Sequence, residues 1–173
     1  MTQKMKEEIA NSVRDFRLPR YEEIPDVGLY LEQTAKYINE FLDPLPEGAL
    51  TPSMISNYVK KRLISSPVRK QYSREQIAYL LFIALAKNIL SLDALSTFLH
   101  LQRSTYPLDR SYEYFRRKFE GLLRFSFELT DVFEDFDENQ TDEKRLFHAC
   151  VASLAQKLYL ERCLQAMTAE QNK

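Results

Sequence analysis

The stretch from Ser73 to Leu90 constrains the fold more than any other part of the chain. Ser73 offers a hydroxyl to free backbone N–H groups, and Gln76 stands three residues on, so a capping box starts a helix at Arg74. From Arg74 to about Leu90 the residues are apolar on most sides, Ile77, Leu80, Ile83 and Leu85 among them. A helix with no polar face is stable only when other elements surround it. This one is expected at the buried centre. It is not expected to span a membrane, because the run from Ile77 to Leu90 is too short and is broken by Lys87 and Asn88. Only three glycines occur in 173 residues, at Gly28, Gly48 and Gly121. So few suit helical neighbours better than tight hairpins.

Those neighbours can be read on both sides. Residues 28–42 place Leu31, Ala35, Ile38 and Leu42 at three- and four-residue steps, which predicts a helix. Residues 43–50 form a turn-rich loop. Thr51 can cap the next helix and Pro52 suits its first position, with the helix running to about Arg62. Leu63 to Tyr72 has no helical period and contains Pro67, so it reads as a short hairpin-like wing. Ser91 caps a further helix through His100, with Asp93 in its first turn. Upstream, residues 1–15 read as a frayed arm or short helix, and 16–27, with two prolines, as an extended segment on the body. Beyond a loop at Pro107, residues 109–136 and 142–168 are helical stretches joined by an acidic turn, which predicts an antiparallel helical hairpin. The fold class is mostly α, in one domain or one small domain with a helical appendage.

The formal net charge of −1 excludes a uniformly basic nucleic-acid binder, but the charge is unevenly spread. Residues 60–74 carry Lys60, Lys61, Arg62, Arg69, Lys70 and Arg74 with no acid among them. Residues 128–143 carry Glu128, Asp131, Glu134, Asp135, Asp137, Glu138, Asp142 and Glu143 with no base. That asymmetry says more about partners than the sum does.

On the helix 52–62, Ser53, Ser56, Asn57, Lys60 and Lys61 fall in one arc, while Met54, Ile55, Tyr58 and Val59 fill the other. One face can pack while the other shows small hydrogen-bonding groups followed by two cations. This suits a major-groove helix: Thr51, Ser53, Ser56 and Asn57 near base edges, Lys60 and Lys61 on phosphates, Arg69 and Lys70 of the wing on the adjoining backbone. The same pattern also describes an ordinary amphipathic helix with a solvated face.

From Leu50 to Leu99 the chain resembles the DNA-binding core of the MerR family. The likeness is carried by Thr51 to Tyr58, then Leu63-Ile64, Tyr72-Ser73, the run Ile77, Leu80, Ile83, Leu85, and Leu90-Ser91-Leu92 with Leu95 and Leu99. It implies a winged helix-turn-helix over 16–105 with a small β-hairpin wing at 65–72, and a C-terminal helical region, 106–173, for dimerisation or effector binding. More widely, the chain is similar to an uncharacterised family of low-GC Gram-positive bacteria. That likeness rests on Leu18 to Tyr21, Ile24 to Asp26, Asn57 to Lys60 and Tyr72 to Leu80. Three features depart from the MerR pattern. The loop 43–50 replaces a tight turn, Asn57 stands where Arg is common, and Arg62 stands where Gly usually precedes Leu-Ile.

No other chemistry is legible. His148 and Cys150 diverge on a helix, as do Cys150 and Cys163, so no metal site is expected. There is no nucleophile–base motif and no glycine loop for a phosphate or dinucleotide, so neither enzyme activity nor a cofactor is expected. The aromatic set Tyr112, Tyr114, Phe115, Phe119, Phe125, Phe127, Phe133 and Phe136 reads as core, effector pocket or dimer seam. The expectation is therefore a cytoplasmic, homodimeric transcription regulator that binds double-stranded DNA, with a small-molecule effector left open. The alternative is a protein–protein interaction module on a degenerate helix-turn-helix, in which the basic face docks an acidic partner.

Overall fold

The computed structural model describes residues 1–133 and 141–171. Its helices are α1 (Gln3–Asn11), α2 (Leu31–Leu42), α3 (Pro52–Lys60), α4 (Arg74–Ala86), α5 (Leu92–Thr105), α6 (Leu108–Ser126) and α7 (Asp142–Gln171). Its two strands, β1 (Leu29–Tyr30) and β2 (Gln71–Tyr72), pair antiparallel. The chain is therefore mostly helical with one small sheet among the described residues. No helix among them is long and apolar enough to cross a membrane. Two compact units result: Leu18–Arg116, and Met1–Arg17 with Arg117–Lys173, the change-over lying within α6.

In the unit 18–116, α4 is the centre, as its apolar sequence requires. From Gln76 to Ala86 every residue is buried except Tyr79, which is half-buried. The expected capping box is present: Ser73 N donates to Gln76 Oε1 at 2.8 Å and Gln76 N to Ser73 Oγ at 3.4 Å. The helix ends at Ala86 rather than Leu90, because the Asn88 amide donates to Leu85 O and Glu47 O, both at 3.1 Å, and so occupies a carbonyl a further turn would use. Phe82 stacks on Phe98 of α5 at 5.4 Å and meets Phe115 of α6 edge-on at 5.1 Å. α5 runs on past His100 to Thr105. The segment 18–26 carries a 3₁₀ turn at Tyr21–Glu23. It is tied down by Tyr112 Oη donating to Pro19 O at 2.9 Å and by Arg74 Nε donating to Ile24 O at 2.7 Å.

Two elements differ from the sequence expectation. Residues 29–30 are a strand and not the first turn of α2. A two-residue strand has no period to read. It forms because Gly28 lets the backbones close: a Cβ there would meet Gln71 Cβ at 2.6 Å. The wing is likewise less of a hairpin than expected. β2 pairs Tyr72 with Leu29 and Gln71 with Tyr30, while upstream only Val68 bridges Gln71. Pro67 has no N–H to extend that ladder.

In the other unit, α1 is a packed helix rather than a frayed arm. Thr2 caps it, accepting from Met5 N at 3.3 Å, and Met5, Ile9, Val13 and Phe16 are buried. Phe16 meets Phe119 edge-on at 5.8 Å. α7 buries Phe147, Cys150, Val151, Leu154, Ala155, Leu158 and Cys163 at helical spacing. Burial pushes the Cys150 thiol up to about 12, so it behaves as an apolar side chain. α6 stops at Ser126 with no glycine to mark the end. Glu128 takes the left-handed conformation (φ 57°), with Leu129 N donating to Arg124 O and Glu128 N to Phe125 O. Gln156 of α7 donates to Ser126 Oγ at 3.0 Å, and Phe127 meets Tyr159 edge-on at 5.4 Å. Of the aromatic set, Tyr112, Phe115, Phe119 and Phe127 are core, whereas Phe125 is exposed. Phe136 and the acids Glu134, Asp135, Asp137 and Glu138 lie outside the described residues.

Candidate nucleic-acid interface

α3 begins as its sequence dictates. Thr51 Oγ1 accepts from Met54 N at 3.2 Å and Pro52 fills the first position. The cap thus uses one lone pair of the hydroxyl, leaving its O–H and a second lone pair. Ile55 and Tyr58 are buried and anchor one face. Ser53, Ser56, Asn57, Lys60 and Lys61 are all exposed, as the helical arc predicts. The helix closes in a Schellman motif: Leu63 N donates to Tyr58 O and Arg62 N to Val59 O, both at 2.9 Å, with Arg62 left-handed at φ 59°. Arg62 therefore does the backbone work that glycine commonly does at a helix end, and is itself exposed.

The long loop before α3 is held at several points. The Asn39 side chain of α2 donates to Leu50 O at 2.9 Å and accepts from Leu50 N at 2.8 Å, completing both backbone valences of one residue. Lys87 Nζ donates to Ala49 O, and burial holds that ammonium below its ordinary range. These contacts fix the residue just ahead of the α3 cap. Asn39→Ala is expected to leave both Leu50 groups unpaired and to cost about 1–3 kcal/mol. Urea unfolding should show a lower midpoint at unchanged slope.

The wing is pinned at its root and bare at its tip. Arg103 of α5 donates to Leu63 O and lies 4.5 Å over the Tyr79 ring. Gln76 Nε2 donates to Ser65 O at 2.8 Å and to Ser65 Oγ at 3.2 Å. At the tip, Arg69 (φ 51°) and Lys70 (φ 65°) are the two central residues of a tight turn closed by Gln71 N donating to Val68 O at 2.9 Å. Both φ values being positive is the pattern of a type I′ turn, which matches the twist of a hairpin. Arg69 and Lys70 are exposed. Among the described residues, none of Lys60, Lys61, Arg62, Arg69 and Lys70 is engaged in an ion pair. Arg62 is not among the residues of the polar arc that the period of α3 marks, and its one sequence signal is an arginine where the MerR pattern has glycine.

A family model described as "Domain of unknown function (DUF1836)" matches residues 19–115. No curated protein and no solved structure is significantly similar to the chain.

Proposed function

We propose that this chain, which belongs to the DUF1836 family, is a cytoplasmic transcription regulator that binds double-stranded DNA with a MerR-like winged helix-turn-helix. α3 enters the major groove and presents Ser53, Ser56 and Asn57 to base edges. Lys60, Lys61, Arg69 and Lys70 hold phosphates on either side. One observation carries this reading: cations at the end of α3 and at the tip of the wing are exposed and, among the described residues, without an intramolecular carboxylate. Isolated surface charges are cheap, but a set of unpaired cations on one short segment, in a chain with net charge −1, is what a polyanion selects. The MerR-like assignment is supported by the order of parts: helix, loop, capped helix, wing, buried helix.

The regulator acts as a homodimer, since two half-sites multiply affinity. Leu160, Leu164 and Met167 support this, forming an exposed apolar stripe at helical spacing on α7. The same stripe, with the exposed basic face that could dock an acidic partner, would equally serve a protein-interaction module.

Anisotropy on labelled genomic fragments tests the proposal. The expected affinity falls by about 10³–10⁵ between about 50 and 200 mM salt, as for a dimer neutralising about six to ten phosphates. Binding no stronger than that of a neutral control protein sinks it. Nuclease-resistant capture of one stoichiometric acidic partner would replace it with the interaction-module reading.

A further inference from the structure

Among the described residues four non-glycines adopt positive φ, namely Arg62, Arg69, Lys70 and Glu128, and no glycine does. In left-handed backbone an L side chain crowds the following carbonyl, and glycine escapes that cost. This chain thus accepts strain at four places where glycine would relieve it. Glu128 shows why such a residue is worth keeping: its carboxylate accepts from Tyr159 Oη at 3.1 Å and lies 3.7 Å from Lys6 Nζ. Its side chain is used within the chain. Arg62, Arg69 and Lys70 fall between α3 and α4, and among the described residues their side chains have no such internal partner. Strain kept without an internal use points outward.

We infer that Arg62 is a phosphate-binding residue, seating a phosphodiester of the bound nucleic acid at the mouth of the groove beside α3. The inference rests on the DNA-binding reading above and adds to it a residue, and a seat, outside the α3 face and the wing tip. The groove, about 430 Å³, is lined by Arg62 together with Ser65, Ser66, Glu75 and Arg103. Ser65 Oγ accepts from Gln76, which leaves its O–H free to donate. Arg103 is held in place by Leu63 O and the Tyr79 ring, so a second cation is already ordered there. Two guanidinium groups against the one Glu75 carboxylate leave the groove positive, and hydroxyl donors complete a phosphate seat. A strand phosphate is the better occupant than a free anion because Lys60 and Lys61, both exposed at the end of α3, immediately precede Arg62, and neighbouring phosphates of a strand give each of them a partner.

Arg62→Gly removes the cation and relaxes the backbone together, and two readouts tell them apart, Tm for the strain and the salt slope for the charge. The expected result is a raised Tm, weaker DNA binding by about tenfold at about 100 mM salt, and a log–log salt slope shallower by about 0.9 per subunit. Arg62→Lys should keep most of the slope. A lower Tm in Arg62→Gly removes the strain premise, and an unchanged slope shows a cation merely tolerated at a helix end; either overturns the inference. If inorganic phosphate raises the wild-type Tm but not that of Arg62→Gly, while the DNA slope is equal in both, the seat serves a free anion and the nucleic-acid assignment is overturned. If wild-type protein shows no salt-dependent DNA binding, the interface as a whole fails, which is distinguishable because there is then no slope to alter.

Discussion

Replacing Arg69 and Lys70 together by glutamate is expected to weaken DNA binding by at least about a hundredfold per subunit at about 100 mM salt, with little change in stability. Each neutralised phosphate contributes about 0.9 to the salt slope, which at about 0.1 M salt is roughly a factor of ten in affinity. Two lost contacts give about a hundredfold, and two carboxylates facing phosphates add repulsion. Neither side chain is buried, and neither has a partner among the described residues, so that part of the fold has nothing to lose with them. The substitutions leave the same left-handed backbone to be adopted by another non-glycine residue, so the turn gains no relief either. Lys60→Glu and Arg69→Glu alone should each cost about tenfold. Anisotropy across a salt series measures the loss, and circular dichroism confirms that the helices persist. A double variant that binds as tightly as the wild type would show that the wing does not touch the backbone of the duplex.

What the sequence disclosed was mainly what local chemistry decides. Thr51 with Pro52 and Ser73 with Gln76 announce their helices because a cap needs only neighbours three residues away. The buried α4 was legible because an all-round apolar helix has one possible place. The ends of elements were harder. α6 stops at a left-handed Glu128 and α3 at a left-handed Arg62, and neither residue type signals a stop. α1 carried its signal in Met5, Ile9, Val13 and Phe16, but the polar residues between them left both a frayed arm and a short helix open, and the structure has the helix. Long-range ties had no local sign at all. Asn39 reaches Leu50 and Gln76 reaches Ser65, each across eleven residues, and Arg103 reaches Leu63 across forty, with α4 between them. These ties bear most on the candidate interface, since they fix where α3 begins and where the wing leaves the body. The polar arc of α3 was legible from its period alone, whereas the absence of internal partners for its cations required coordinates.

Ile83→Ala is expected to be the most damaging conservative truncation in the unit 18–116. Ile83 is fully buried, in a helix whose residues from Gln76 to Ala86 are buried on every side but Tyr79. Shortening a buried Ile to Ala costs about 2–5 kcal/mol, the larger values arising where the surroundings cannot collapse into the space. A helix enclosed all round has no free side from which a neighbour can move in, so about 4 kcal/mol is expected. Against a total stability of about 5–15 kcal/mol that is a large fraction. For a chain of this size it should lower Tm by about 8–16 °C. Ile83→Val removes one methylene and should cost only about 0.5–1.5 kcal/mol. Leu160→Ala, on the exposed stripe of α7, should leave monomer stability nearly unchanged. Denaturant unfolding of the three variants orders them. A loss below about 1 kcal/mol for Ile83→Ala would mean that α4 has room to relax on one side, and that the body is not built around it.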